Sequence, residues 1–331
     1  MAIQWFPGHM HKARKEMAAV LPRVDVILEV LDARIPYSSE NPMLAELRGN
    51  KPCLRVLTKA DLADPQLTDD WLIALRCSAS DKTSADGSSR TVPDTPKHSN
   101  DAIAIRTDQP DSISQILPRL SILVPRQANR VKPRVVLVMG IPNVGKSTLI
   151  NHLIGRNIAK TGNEPAITKR QQPVAFGEGW VLRDTPGVLW PKVENPASGF
   201  RLAASGAIRD TAMDSGEVAA ALLDHLRIVY PDFLRTRFSD ELPLNESVET
   251  LEAIGRQRGC LGGGGLVDFD KAGRLLLQEF RSGKLGRITL ETPAMRDKES
   301  IAVDEARVAL TAKREARRTA GKKRRQQQKR K

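Results

Sequence analysis

The 331-residue chain has little cysteine: Cys53, Cys77 and Cys260 are odd in number and far apart, which excludes a disulfide framework and cysteine-based metal spacing. It also lacks long apolar runs. The longest, Val135 to Ile141 broken by Gly140, is far too short to cross a bilayer, so no membrane association is expected. The opening Met1-Ala2-Ile3-Gln4-Trp5 has no basic flank followed by a long apolar stretch, and no Arg- and Ser-rich presequence. A cytoplasmic location is the expectation.

What the chain has in excess is positive charge, and it is concentrated at one end. The formal charge is +13, yet residues 312–331 hold eleven Lys or Arg against one Glu, leaving only +3 for the other 311 residues. The stretch from Gly321 to Lys331 offers nothing apolar to bury and repels itself, so a disordered tail is expected when the chain is free. A polyphosphate partner would neutralise it, and if that partner is RNA the affinity must fall steeply with salt.

Apolar runs with strand character recur at Val24–Leu31, Cys53–Leu57, Ala102–Ile105, Val135–Met139 and Trp180–Leu182, with helix-length segments between them. That alternation predicts a parallel α/β sheet. Residues 78–100, rich in Ser, Thr, Asp and Pro, read as an insertion, and Pro125–Pro133 as a basic connector. Beyond Pro191 the periodicity becomes helical, at Ser215–Tyr230, Val248–Arg258 and Asp268–Phe280. The expected division is a domain over 1–192, a helical domain over 193–295 and a tail over 296–331. The glycine run 262–265 has no following Lys-Ser and reads as a turn between helices.

Gly140-Ile141-Pro142-Asn143-Val144-Gly145-Lys146-Ser147 follows the strand Val135–Met139 and fits a phosphate loop. The glycines let successive N–H groups curl toward phosphate oxygens, and a helix starting near Ser147 adds its positive dipole end. Asn143, Val144, Gly145, Lys146, Ser147 and Thr148 are therefore candidate phosphate contacts. Ser147 and Asp184, in Asp184-Thr185-Pro186-Gly187 at the end of its own strand, are candidate Mg²⁺ ligands, and the Gly187 amide is placed to sense a γ-phosphate.

Thr58-Lys59-Ala60-Asp61 follows the strand Cys53–Leu57. There the Asp61 carboxylate can accept from the N1 and N2 donors of guanine, a pair that adenine lacks, while Lys59 and Ala60 flank the base. Taken alone, Asp61 could equally cap a helix. Beside a phosphate loop it predicts GTP and GDP as ligands. The usual box begins with Asn; Thr58 cannot bridge with two amide ends, so weaker nucleotide binding is expected with specificity kept. Backbone amides of Arg106-Thr107, after the strand Ala102–Ile105, are the candidates for guanine O6, with Cys77-Ser78-Ala79-Ser80 as a rival. Because the base box precedes the phosphate loop by more than eighty residues, the reverse of the ordinary order, the domain reads as circularly permuted.

That order, together with Trp5-Phe6-Pro7-Gly8-His9-Met10, Asp32-Ala33-Arg34-Ile35-Pro36, Asn41-Pro42-Met43, Trp190-Pro191-Lys192 and Gly259-Cys260-Leu261, resembles the YlqF-type GTPases, ribosome biogenesis GTPase A. The resemblance covers roughly residues 1–295. It implies a P-loop GTPase with permuted motifs that acts late in assembly of the large ribosomal subunit and binds ribosomal RNA through a helical C-terminal domain, with no DNA partner. It also implies that His9 reaches the γ-phosphate and orients or deprotonates water, since Val188 stands where a typical GTPase has Gln; on spacing alone His9 is a structural histidine. Thr168 is the expected switch ligand to Mg²⁺, with Thr161 as a rival, and Asn143 could help hold K⁺. Two other classes remain on the residues alone: a targeting or tRNA-modification GTPase, and an RNA-binding module with a purely structural nucleotide site.

Overall fold

The computed structural model describes residues 15, 17–77, 100–106, 109–155, 174–184, 195–208 and 213–328. They divide into two compact units, Met1–Glu291 and Thr292–Lys331.

In the first unit the chain runs through β1 (Val26–Asp32), α1 (Pro36–Ser39), α2 (Pro42–Arg48), β2 (Cys53–Thr58), α3 (Pro65–Cys77), β3 (Asn100–Ala104), α4 (Pro110–Ser114) and α5 (Ile116–Leu123). It continues through β4 (Arg134–Met139), α6 (Lys146–Ile154), β5 (Val174–Ala175), β6 (Trp180–Asp184), α7 (Pro196–Ala204), α8 (Ser215–Val229), α9 (Pro231–Arg237), α10 (Ser247–Gln257) and α11 (Phe269–Arg281). Many helices begin at an Asx-Pro or Asp signal. Asn41 accepts from Met43 N, Asn195 from Ala197 N, Asp214 from Glu217 N and Asp268 from Lys271 N, each satisfying an amide that the first turn leaves over. Proline follows at the first helical position in α2 and α7, where its missing N–H costs nothing.

The six strands are ordered β3-β2-β1-β4-β6-β5, parallel except for β5 against β6. Every residue of β1 is buried, as a central parallel strand requires. Its alternate side chains feed three apolar clusters, one on one face of the sheet and two on the other. Val26, Leu28 and Val30 join a cluster that includes Leu202, Leu223 and Phe280 of the helical half, while Ile27 packs with Leu44 and Leu31 with Trp71 on the opposite face. Two charges lie within the strand. Glu29 is offset by Arg55 on the neighbouring strand at 3.2 Å, and Asp32 belongs to the site below.

The second unit is a single helix, α12 (Pro293–Gln328). The tail expected to be disordered is thus helical as far as Gln328. Ala, Arg, Lys, Glu and Gln dominate it, and their high intrinsic helix propensity outweighs the mutual repulsion on which the expectation rested. The insertion over 78–99 lies outside the described residues, and Asn100 already opens β3. The boundary expected after Pro191 also falls outside them. No described helix is long and apolar enough to cross a membrane.

Residues 286–291 return from the helical half to the sheet. Ile288 N donates to Leu62 O and Leu290 N to Arg34 O, and Trp71 Nε1 donates to Glu291 O. The Glu291 carboxylate, fully buried, accepts from Tyr37 N, from the amide and hydroxyl of Ser38, and pairs with Arg201 at 3.4 Å. Burial pushes this carboxyl up to about 7, against the opposing pull of Arg201 and the Ser38 and Tyr37 hydrogen bonds. An acid raised on folding adds stability that is complete below its ordinary value of 4.5 and is lost as pH rises through 7. Urea unfolding should therefore show the wild type gaining about 3 kcal/mol relative to Glu291→Gln between pH 8 and pH 4.5. Parallel pH profiles for the two proteins would refute the assignment.

Candidate nucleotide site

Chain order reverses between β1 and β4: the first three strands step outward on one side of β1, and β4 returns to its other side. In such sheets the crevice beyond the carboxyl ends of the strands at this point receives the ligand. Three segments meet there: Asp32 at the end of β1, the base box after β2, and the phosphate loop after β4.

The phosphate loop leaves β4 through Gly140, where a Cβ would lie 2.6 Å from Val30 O of β1, so the close approach of loop and strand requires glycine. Asn143 has φ +59° and Gly145, the residue before α6, has φ +92°. Lys146 opens α6, and its ammonium donates to Ile141 O across the loop. Val144 is buried, and Ser147 and Thr148 are half-buried on the first turn of α6. The helix points its free N–H groups and dipole end into the crevice. In β6, Asp184 stands in register with Val138 of β4, one residue short of that strand's end. The backbone therefore brings Asp184 and Ser147 to the same end of the sheet.

The base box is bound directly to this loop. Thr58 Oγ1 lies 2.9 Å from Leu31 O and within hydrogen-bond distance of Val144 O, so the hydroxyl stands between the base box and the phosphate loop. With one proton, it donates to one of these carbonyls at a time. Lys59, at φ +57°, sends its ammonium to Asn143 O and to Asp32 Oδ2, both at 2.8 Å. Lys59 and Asn143 are the non-glycine residues with left-handed backbone among the described residues. Strain of this kind persists where a site holds it in place. Ala60 N donates to Ile105 O, and Asp61 Oδ1 is buried with no hydrogen-bond partner. An acceptor removed from water without a donor is costly, and a donor group of the kind guanine carries at N1 and N2 would satisfy it. The residues fit the base.

Asp32 is the charge at the centre. Arg34 forks onto it, Nε to Oδ1 at 3.0 Å and NH2 to Oδ2 at 2.8 Å, with Lys59 sharing Oδ2. Burial alone would raise the Asp32 carboxyl, but Arg34 and Lys59 outweigh it and hold it well below the usual carboxylate range. The same burial lowers Lys59, with Asp32 opposing. Arg34 also lies 5.0 Å over the Phe280 ring of α11. Asn143 Nδ2 donates to Gly206 O, just after α7, at 2.7 Å. Both contacts lead from the nucleotide site into the helical half.

Of the expected site residues, the structure brings together Thr58, Lys59, Ala60, Asp61, Asn143, Val144, Gly145, Lys146, Ser147 and Thr148. Arg106 is adjacent, with its N–H donating to Ser112 Oγ at 3.1 Å. His9, Thr107, Thr168 and Gly187 lie outside the described residues. Reasoning from the motifs assigned no role to Asp32, although an acid at the carboxyl end of a buried central strand is the signal of a group aimed at the crevice. Arg34, two residues later, carries the matching charge.

Residues 135–228 match the family model of 50S ribosome-binding GTPases. The chain is 42% identical over 301 residues to ribosome biogenesis GTPase A of Bacillus cereus, spanning 88% of this chain and 95% of that protein. Mitochondrial ribosome-associated GTPase 1 of Mus musculus is 32% identical over 316 residues, spanning 87% and 90%. Among solved structures, GNP-bound YlqF from T. maritima superposes with a TM-score of 0.58 at 24% identity, over 85% of this chain and 98% of that one, which shows the permuted fold. GDP-bound YlqF matches with a TM-score of 0.57. With the phosphate loop and the base box meeting at one crevice, and with identity running through nearly all of the bacterial relative, the chain belongs to the ribosome biogenesis GTPase A family and is a GTP hydrolase.

Proposed function

We propose that this GTPase works as an assembly factor in late maturation of the large ribosomal subunit, in the cytoplasm, and binds ribosomal RNA in a nucleotide-dependent way. The observation that carries the reading is the unpartnered Asp61 carboxylate beside a complete phosphate loop, in a chain whose curated relatives are named for ribosome biogenesis. Residues 1–192 act as the nucleotide domain, 193–295 as the RNA-binding part and 296–331 as a basic extension.

Loop amides, the α6 dipole end and Lys146 hold the β- and γ-phosphates. Ser147, Asp184 and Thr168 are the residues to hold Mg²⁺, which supplies charge neutralisation on the phosphate oxygens when bound. Gly187 senses the γ-phosphate, and of the Arg106-Thr107 pair the Thr107 amide takes the O6 side of the base, the Arg106 N–H being held by Ser112 Oγ. Asn143 gives its amide nitrogen to Gly206 O, leaving the amide oxygen as its contribution to a K⁺ site. His9 orients the attacking water, because Val188 has no polar atom to do so.

The decisive assay is GTP turnover in K⁺ buffer with purified large subunits, with small subunits as control. Stimulation by the large subunit alone is expected; equal rates with either subunit would remove the ribosomal assignment. In the same assay His9→Ala should lower turnover about 100-fold while GDP binding stays near wild type, and Na⁺ in place of K⁺ should slow the wild type. Wild-type turnover in the His9 variant returns that residue to a structural role.

A further inference from the structure

Asp61 is held on both sides by a segment that arrives from the far end of the unit. The Arg287 guanidinium donates from NH2 to Ala60 O and from Nε to Ala63 O, both at 3.0 Å. Next to it, Ile288 N donates to Leu62 O at 2.9 Å. The carbonyls immediately before and after Asp61 are therefore both fixed by residues 287–288, and Asp64 N, ending the loop, is taken by Thr289 Oγ1 at 3.0 Å. The turn after α11 also lies against this loop: Gly283 has φ +76°, which favours glycine, and a Cβ there would lie 2.7 Å from Leu62 Cδ2.

We propose that Arg287 is a positioning residue for guanine recognition, setting the aim of the Asp61 carboxylate by clamping the carbonyls of its loop. The proposal rests on the reading of Thr58–Asp61 as the guanine box. Its physical basis is the rigid fork of the guanidinium, which spans two carbonyls at a fixed separation as an ammonium cannot. Arg287 is exposed, so its removal opens no cavity and leaves the core intact. What changes is the freedom of the backbone that carries Asp61, and a carboxylate out of line by a fraction of an ångström loses hydrogen-bond energy steeply. Because Arg287 belongs to the segment leading out of α11, forces on the helical half reach the base through it, and by linkage nucleotide binding acts back on the helical half.

The test is the ratio of affinities for GDP and inosine diphosphate, which lacks the exocyclic amine and so one of the two Asp61 hydrogen bonds. General loosening of the nucleotide site weakens both ligands together and leaves the ratio unchanged. Arg287→Ala is expected to reduce the GDP preference about tenfold, with Arg287→Lys intermediate because one ammonium reaches one carbonyl. Asp61→Ala is the control and should bring the ratio close to one. If Asp61→Ala collapses the ratio and Arg287→Ala leaves it at the wild-type value, the positioning role is overturned while the guanine box stands. If Asp61→Ala leaves the ratio unchanged, the guanine-box reading fails and the role of Arg287 fails with it.

Discussion

Asp61→Asn is expected to weaken GDP binding by a factor on the order of 10² to 10³ and to shift preference toward xanthosine diphosphate. In the folded protein Asp61 Oδ1 is buried and accepts from nothing. Guanine brings two donors to it, and hydrogen bonds to a charged acceptor are worth roughly 1.5–3 kcal/mol each, so losing the matched pair costs about 3–5 kcal/mol. Asparagine keeps one acceptor but sets an amide N–H₂ against a guanine donor. Xanthine, with an N1 donor beside an O2 acceptor, complements the amide instead. Calorimetric titration with both diphosphates measures the exchange, and undiminished GDP affinity in the variant would exclude Asp61 from the base site.

A comparable loss, this time of fold stability, is expected from Arg34→Met. The substitution keeps most of the side-chain volume against Phe280 but removes the fork that neutralises Asp32. Both groups are about 1% exposed, so the remaining anion is left with the Lys59 ammonium and the backbone N–H of residue 34 in a nearly dry setting. Breaking one side of a buried pair typically costs about 3–5 kcal/mol, with the lower end expected here because Lys59 stays. Each kcal/mol is worth roughly 2–4 °C in a unit of this size, so the unfolding midpoint should fall by roughly 6–12 °C. The double variant Asp32→Asn/Arg34→Met should recover much of the loss, since no unpaired charge is then buried. The acid side follows from the same pair. Asp32 is lowered on folding, so its contribution is complete above its ordinary value of 3.8 and is lost only as pH falls through its lower folded value. A double variant no more stable than Arg34→Met would show that the carboxylate is not the source of the loss.

Much of the sheet and the two nucleotide loops was legible because local rules decide them. Buried parallel strands are short apolar runs with abrupt ends, and β1, β2 and β4 each fall within two residues of the expected bounds. The phosphate loop needs specific residues at fixed spacing, and Gly140 shows why: the neighbouring strand leaves no room for a Cβ. The short helices α1, α2, α7 and α9 were not foreseen, for their periodic stretches are too brief to register, although Pro and Asn at their starts mark them in hindsight. The contact of Thr58 Oγ1 with Val144 O was not legible, because it depends on that carbonyl lying across the crevice, a relation set by tertiary packing. Arg287 and Glu291 were invisible for the same reason: their partners lie more than two hundred residues earlier. In the tail, charge argued for disorder and residue propensity for helix, and propensity decided the backbone.

The permuted order also has a consequence in time. The base box is among the first parts of the chain to be synthesised, yet the residues that bond to the carbonyls of Ala60 and Ala63 come from Arg287, more than 220 positions later. Synthesis runs from the N-terminus, so these carbonyls must wait, solvated, until nearly the whole unit has left the ribosome. Closing so long a segment is slow compared with pairing neighbouring strands. A nascent chain can therefore build its sheet early while the carbonyls on either side of the base box still lack their late partners.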